Sequence, residues 1–187
     1  MSKVIGALVF LKEGVRTVWE FIRLLALAAP IGVYAWVIFG PWIQPLFGAS
    51  STIAGRASVI DGDTISIHGQ RIRLYGIDAP ESRQVCYDGN RHGYRCGQLA
   101  TRALSNKIGG RRVSCDQRDI DRYGRIVAVC QADGENLNGW LVREGLAVAY
   151  MRYSWRYVPA EIGARFSRSG IWAGNFIKPE TWRRQNR

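Results

Sequence analysis

Four acidic side chains follow two predicted strands, where they could bind a hard metal ion. Asp61 and Asp63 flank Gly62 after one β-branched run, and Asp78 and Glu81 follow another. If the two strands are neighbours, these carboxylates converge at one rim of a sheet. Oxygen ligands of this kind suit calcium or magnesium. Taken singly, each acidic pair is also a common turn or loop-to-helix signal, so a structural role for either pair stays open.

Arginine dominates the charged part of the chain. The chain has 26 Lys+Arg against 15 Asp+Glu, a net charge of +11, and its hydrophobic content of 47% excludes a disordered chain. Residues 56–187 carry 22 basic side chains, of which only Lys107 and Lys178 are lysines. The guanidinium fork binds phosphate bidentately, so this bias favours a polyanionic ligand, with solubility or attraction to anionic lipid as alternatives.

The elements that must position the carboxylates follow the order three strands, a helix, two strands and further helices. Alternating or β-branched runs separated by turn dipeptides predict the strands, and apolar spacing with Gly and Pro at the ends predicts the helices. The predicted strands are Ala57–Ile60, Thr64–His68, Arg71–Ile77, Arg112–Asp116 and Arg125–Gln131, and the predicted helices are Gly97–Ile108, Leu137–Glu144 and Pro159–Ser169. This order predicts a five-stranded β-barrel with helices packed on it, an α+β fold.

Four ordered blocks of sequence resemble the staphylococcal nuclease family. They are Val59–Thr64 (VIDGDT), Arg73–Glu81 (RLYGIDAPE), Asp121–Arg125 (DRYGR) and Asn136–Ala147 (NLNGWLVREGLA). Four blocks at matching intervals are far more specific than one short pattern. The likeness covers about residues 56–175, and it implies an OB-fold barrel and calcium-dependent cleavage of DNA and RNA, single- or double-stranded, that leaves 3′-phosphate ends.

The resemblance also implies a metal site at the predicted rim. It makes Asp63 and Asp78 the carboxylates that bind one calcium ion, with the backbone carbonyl of Ala79 as a further ligand. Asp61 matches an acidic position beside the metal and receives a supporting role. Asp61, Asp63 and Asp78 are also among the acidic residues whose oxygens suit a hard metal ion.

Three further residues match the family's catalytic positions. Glu81 corresponds to the general base, and Arg73 and Arg125 correspond to two arginines that stabilise the charge of the transition state. The structural alternative is that Arg125 is a charge on the barrel rim paired with Asp121, and that Arg73 is a charge on an edge strand that prevents aggregation. That alternative explains each residue alone but not why all the catalytic positions are filled together.

Substrate-binding positions of the family are matched at the other end of the likeness. Arg122 and Tyr123 match residues that contact substrate phosphate, and Tyr150 matches a tyrosine that flanks the bound nucleotide. The stretch from Gly145 to Tyr150 is one residue shorter here than in the family. The main alternative function is an OB-fold module that binds nucleic acid without cleaving it, and a second is an envelope protein that binds anionic polymer; neither needs the acidic residues.

The four cysteines are read as two disulfides. The chain lacks a C-x-x-C pair and has only two histidines, which disfavours a zinc site. We predict bonds from Cys86 to Cys96 across a loop and from Cys115 to Cys130 across a hairpin, among three possible connectivities. The alternative is four reduced thiols in a cytosolic protein.

Residues 24–47 form an apolar run whose one strongly polar side chain is Gln44. Twenty-four helical residues would span about 36 Å, against about 30 Å for the hydrocarbon core of a bilayer. The positive charge before this run favours an anchor with its N-terminus inside and the domain in the periplasm or outside the cell. A signal peptide cleaved near Ala49, giving a secreted protein, and a buried core helix are the alternatives.

The chain is therefore divided into five predicted parts. These are a basic, amphipathic segment at 1–23, the transmembrane anchor at 24–47, a flexible linker at 48–55, the nuclease-like domain at 56–175 and a basic C-terminal tail at 176–187. The end of that tail, Trp182–Arg187, is predicted to be solvated, in reach of nucleic acid or lipid headgroups.

Overall fold

The computed structural model describes residues 51–186 of the chain. The predicted N-terminal segment, the anchor at 24–47 and the first residues of the predicted linker lie outside the described residues, so the anchor stays a prediction. Among residues 51–186, no helix has the length and apolar character needed to cross a membrane.

The described residues form ten short strands, four α-helices and one 3-10 turn. The strands are β1 (Thr52–Val59), β2 (Thr64–Ile67), β3 (Gln70–Leu74), β4 (Ile77–Asp78), β5 (Val85–Tyr87), β6 (Gly93–Arg95), β7 (Arg112–Ile120), β8 (Ile126–Ala132), β9 (Glu135–Asn136) and β10 (Val148–Ala149). The helices are α1 (Cys96–Ile108), α2 (Leu137–Arg143), α3 (Val158–Phe166), a 3-10 turn (Gly170–Ala173) and α4 (Pro179–Gln185).

Five of the strands close into the predicted barrel. Strands β3, β2, β1, β7 and β8 pair antiparallel in that order, and β3 then pairs with β8 in parallel, which leaves no open edge between them. The inward-facing side chains of β2 and β3 are fully buried, among them Ile65, Ile67, Ile72 and Leu74. The barrel with packed helices is thus confirmed, and the strand ends on its rim are fixed in register.

The predicted third strand, Arg71–Ile77, is broken in the structure. Gly76 has φ +74°, a left-handed conformation that interrupts a strand and that glycine adopts at little cost. The chain turns there, and Ile77 and Asp78 pair as β4 with β10 instead of continuing the barrel. This turn brings Asp78 back toward the rim that carries Arg73.

The predicted linker at 48–55 is wrong for its last four residues. Residues 52–55 belong to β1 and pair with β7, with Ile53 opposite Cys115 and Gly55 opposite Val113. Small residues read as a linker by composition, yet pairing between strands uses backbone groups that every residue other than proline provides. The first strand of the barrel therefore begins at Thr52 and not at Ala57.

Both predicted disulfides are present. Cys86 is bonded to Cys96 and Cys115 to Cys130. The first closes the β5–β6 hairpin onto the start of α1, and the second joins paired residues of β7 and β8. The free-thiol alternative is therefore excluded.

Asn138 in α2 ties three segments of backbone together. Its side chain is fully buried, accepts a hydrogen bond from the backbone N–H of Cys130 at 3.0 Å, and donates to the carbonyls of Tyr75 (2.9 Å) and Ala128 (3.2 Å). Because Tyr75 directly precedes the turn at Gly76, the hydrogen bond from Asn138 fixes the path of the chain into β4.

Replacing Asn138 by Ala should therefore destabilise the domain. Three backbone groups lose a partner, and we expect the free energy of unfolding to fall by about 3 kcal/mol. Urea titration followed by circular dichroism measures this change. Asn106→Ala, at an exposed position on α1, is the control and should change the value by less than about 0.5 kcal/mol. Equal effects of the two substitutions would contradict the assigned role of Asn138.

Candidate active site

Asp63 and Asp78 meet at one guanidinium group on the barrel rim. Nη2 of Arg73 lies 3.1 Å from Oδ2 of Asp63 and 3.1 Å from Oδ1 of Asp78. Both residues are buried, with exposed fractions of 7% for Asp63 and 1% for Asp78. The predicted convergence of acidic residues from two strand ends is therefore observed for this pair.

Local hydrogen bonds fix the orientation of Asp63. Its own backbone N–H donates to Oδ1 of Asp61 at 3.0 Å, which forms the turn that the D-G-D sequence predicts. The hydroxyl of Thr64 donates to Oδ1 of Asp63 at 3.0 Å, leaving Oδ2 directed at Arg73. Because Thr64 pairs with Arg73 in the β2–β3 register, Asp63 and Arg73 are neighbours by strand geometry.

Ala79 lies beside the pair. Its backbone N–H donates a hydrogen bond of 3.4 Å to Oδ2 of Asp63. A role for the Ala79 carbonyl in metal binding stays a prediction.

Glu81 is held at the edge of the cluster by the start of α1. A Cβ on Gly97 would lie 2.0 Å from the carbonyl oxygen of Glu81, so only glycine permits this close approach. The backbone N–H of Glu81 donates to Oε1 of the fully buried Gln84 at 3.2 Å. The Glu81 carboxylate itself is 38% exposed and so remains open to water.

Arg183 of α4 completes the cluster, and the sequence analysis missed it. Its Nη1 lies 2.9 Å from Oδ1 of Asp78 and 2.9 Å from Oε1 of Glu81, while its Nη2 lies 3.0 Å from Oδ2 of Asp78. The prediction of a solvated end at 182–187 is therefore wrong for Arg183, since Pro179–Gln185 forms α4 and directs this residue to the cluster. Pro179 at the first turn and an acidic residue after it were the available helix-start signals.

The cluster is electrostatically suited to a cation. Burial, followed by the charge of Asp63, raises the pKa of Asp61 from its usual value of 3.8 to about 6. Burial also raises the pKa of Asp78, and hydrogen bonds from Arg183 oppose that rise. Buried carboxylates keep their charge only where a cation compensates it, and Arg73 and Arg183 do so here.

The donor set fits a hard divalent ion with an open coordination sphere. Asp63 and Asp78 offer buried carboxylate oxygens, the ligand type that calcium prefers. Across residues 51–186, no group of three His, Cys, Asp or Glu side chains is arranged to hold a metal ion. The protein would thus supply two carboxylates, and backbone oxygen, water or substrate phosphate would supply the remaining ligands.

Arg125 stands apart from the cluster in this structure. Its Nε lies 2.8 Å from Oδ2 of Asp121, and the other oxygen of Asp121 accepts from the backbone N–H groups of Tyr123 and Arg125 at 2.9 and 3.0 Å. Within the described part of the chain, its ion pair is with Asp121 and not with the carboxylates of the cluster, as the rim-charge alternative predicts. A catalytic role for Arg125 stays a prediction.

Tyr123 forms an aromatic platform beside Arg125. The ring is 68% exposed, and it lies 4.8 Å from Cζ of Arg122 and 5.7 Å from Cζ of Arg125. An exposed ring flanked by two guanidinium groups is suited to a base and its phosphates.

Tyr150 lines a cleft beside Asp78. Its backbone N–H donates to the carbonyl of Gly76 at 2.9 Å, so the turn that positions β4 also positions this tyrosine. The cleft has a volume of about 150 Å³, and Lys178 and Glu180 line it as well. Burial, and then the charges of Glu180 and Asp78, raise the pKa of the Tyr150 hydroxyl.

Comparison with known proteins gives one family. The family described as Staphylococcal nuclease homologue matches residues 71–174. The succinoglycan biosynthesis protein ExoI of Rhizobium meliloti (strain 1021) is 43% identical over 128 residues, 67% of each chain. An uncharacterized endonuclease of Haemophilus influenzae is 33% identical over 137 residues, 69% of this chain and 71% of that one. A micrococcal nuclease of Shigella flexneri is 33% identical over 148 residues, 69% of this chain and 79% of that one.

The segment that the family model matches includes Arg73, Asp78, Glu81 and Arg125, whereas Asp61 and Asp63 precede it. Arg183 lies beyond the matched segment. The alternative of an envelope protein that binds anionic polymer does not account for relatives named as nucleases. The chain belongs to the staphylococcal nuclease family, and it is a hydrolase that cleaves nucleic acid.

Proposed function

We propose that this nuclease is a calcium-dependent phosphodiesterase that cleaves DNA or RNA and leaves 3′-phosphate ends. The observation that carries the proposal is the junction of Asp63, Asp78 and Arg73 at the rim, with Glu81 at its edge. Each group supplies something that phosphodiester hydrolysis needs.

Asp63 and Asp78 are the groups that bind the metal. Both are buried, and their oxygens contact the same nitrogen of Arg73, so they face one point. A calcium ion bound there supplies neutralisation of a phosphate oxygen and orientation of the attacking water. Asp61 supports the site by accepting the hydrogen bond that fixes the turn of Asp63.

Glu81 is the general base. Its carboxylate is partly exposed, whereas Asp63 and Asp78 are buried, so water reaches Glu81 on the solvent side of the site. A carboxylate at hydrogen-bond distance from a water molecule can take its proton as the water attacks the phosphorus atom. The contact from Arg183 to Glu81 must be released or rearranged for that step.

Arg73 and Arg125 stabilise the developing charge. Arg73 pairs with Val127 in the parallel β3–β8 register, and Arg125 directly precedes β8, two residues before Val127, so the sequence places the two arginines near one end of this strand pair. Negative charge grows on the equatorial oxygens during in-line attack, and guanidinium groups fixed beside those oxygens favour the transition state over the ground state.

Substrate is held beside this centre by aromatic and basic groups. Tyr123 and its two flanking arginines offer a stacking surface, and Tyr150 lines the cleft next to Asp78. Aromatic faces stack on any base and guanidinium groups bind phosphate in DNA and RNA alike, which supports action on both.

We also infer that the enzyme works outside the cytoplasm, on an anchor at 24–47 or secreted after its cleavage. The two disulfides support this site of action, because such bonds persist in oxidising compartments. Protease added to intact membrane vesicles of known orientation should digest the domain only where the extracytoplasmic face is outward. Protection in that orientation would oppose the inference.

The calcium proposal is tested by the metal dependence of cleavage and by the product ends. Purified full-length protein in mild detergent should degrade 5′-labelled single-stranded DNA with millimolar calcium and lose that activity in EGTA. Phosphatase treatment should change the mobility of the products, since each would carry a 3′-phosphate. Full activity in magnesium with EGTA, or products that phosphatase leaves unchanged, would contradict the proposal. Asp78→Asn is the control that should lose calcium-dependent cleavage.

A further inference from the structure

The C-terminal strap, residues 174–186, is fastened to the body of the domain before it reaches the active site. Asn175 and Tyr87 exchange two backbone hydrogen bonds of 2.8 and 3.0 Å. Two residues later, the carbonyl of Ile177 accepts a hydrogen bond of 2.6 Å from Nε2 of Gln84. The Cys86–Cys96 disulfide closes the hairpin that provides Tyr87. The strap is thus built into the structure at its start.

Gln84 connects the strap to Glu81, the proposed general base. The buried side chain of Gln84 contacts Ile177 of the strap through its nitrogen and the backbone N–H of Glu81 through its oxygen. Helix α4 then runs from Pro179 to Gln185 and presents Arg183 to the cluster. One buried amide therefore links the strap to the backbone of Glu81.

Arg183 forms hydrogen bonds with the carboxylate oxygens that would bind a metal ion. Its two terminal nitrogens donate to the two oxygens of Asp78 in a bidentate pair, and one of them also donates to Glu81. Arg73 donates to the same Oδ1 of Asp78. Both Asp78 oxygens are therefore engaged by cationic donors. A divalent ion bound to Asp78 would lie within a few ångströms of the Arg183 guanidinium, and like charges that close repel strongly.

We propose that Arg183 is a built-in cation which occupies the metal position at Asp78, so that a divalent ion must displace it and the strap sets the metal affinity of the nuclease. This inference rests on the proposed metal site at Asp63 and Asp78. The same displacement withdraws Arg183 from Glu81. Metal binding thereby creates the metal centre and frees the general base in one event.

The size of the effect follows from the fraction of molecules in which the strap is released. A ligand that binds only the released state has an apparent Kd equal to its intrinsic Kd divided by that fraction. If Arg183 is engaged in about nine molecules of ten, its removal tightens calcium binding about tenfold. Lysine cannot form the two-pronged pair with Asp78, so Arg183→Lys should fall between wild type and Arg183→Gln.

The test is calorimetric titration of calcium into purified full-length protein without substrate. Arg183→Gln should lower the Kd at least about tenfold. Arg184→Gln is the matched control, because it removes the same charge from the next residue of α4, where the guanidinium pairs with Glu180 on the exposed side. Its Kd should stay within about twofold of wild type. Thermal unfolding in EGTA is a second readout, in which Arg183→Gln should lower Tm by several degrees, because the buried Asp78 loses its bidentate partner.

Asp78→Asn separates the failure of this inference from failure of the metal site. If Asp78→Asn abolishes calcium binding while Arg183→Gln and Arg184→Gln keep the wild-type Kd, the metal site stands and the strap inference is overturned. If Asp78→Asn binds calcium like wild type, or if no variant binds calcium, the proposed metal site is wrong and the strap inference falls with it.

Discussion

Glu81→Gln should lower kcat by at least about a hundredfold while leaving calcium binding close to wild type. Glutamine has the shape of glutamate, and its oxygen can still accept the hydrogen bond that Arg183 donates to Oε1. It cannot take a proton from water, so only the base function is removed. Release of acid-soluble nucleotides from single-stranded DNA at saturating calcium measures the change.

The matched control for this substitution is Glu144→Gln. Glu144 is an exposed carboxylate that follows α2, away from the cluster. Its replacement should leave kcat within about twofold, as for a surface substitution. A Glu81→Gln enzyme with kcat within threefold of wild type would rule out Glu81 as the base and leave water or substrate phosphate to take the proton.

Arg73→Lys should also reduce kcat by about a hundredfold or more, a loss of about 3–4 kcal/mol of transition-state stabilisation. Lysine keeps the charge and could contact Asp63 and Asp78 through one nitrogen, as Nη2 of Arg73 does. It is a point donor, however, and cannot present two N–H groups in one plane to the phosphate oxygens. The calcium Kd must be measured beside kcat, because Arg73 contacts both proposed metal ligands. Kinetics at saturating calcium then isolate the effect on the chemical step.

Arg71→Lys provides the comparison on the same strand. Arg71 is exposed, two residues before Arg73 on β3, so the substitution makes the same chemical change away from the carboxylates. It should leave kcat unchanged within about twofold. If Arg73→Lys behaves like Arg71→Lys, then Arg73 is a compensating charge for the buried carboxylates and not a catalytic group.

The barrel and much of its acidic rim were predictable, because local rules and register agree there. A tight turn followed by a hairpin places Asp63 beside Arg73 whenever β2 and β3 pair with Thr64 opposite Arg73. The cysteine pairing was also predictable, since Cys115 and Cys130 lie on two strands expected to form a hairpin. Each of these inferences depends on neighbours along the chain or across one turn.

The strap was not predictable, because its position depends on contacts far along the chain. Gln84 and Ile177 are 93 residues apart, and Arg183 and Asp78 are 105 apart. Composition marks the tail as basic but does not indicate which arginine points inward. The strand at the end of the predicted linker was missed for a related reason. Gly55 has no side chain that would indicate a strand, yet its backbone pairs with Val113 of β7.

Closure of the barrel through β3 and β8 also fixes the order in which the enzyme can become active during synthesis. The strand that carries Arg73 can pair with β8 only after residues 126–128 have been made, because those residues form the parallel pair with β3. A ribosome-bound fragment that ends before β8 therefore has acidic residues without an assembled centre. We therefore expect such a fragment to cleave no nucleic acid until β8 has joined β3.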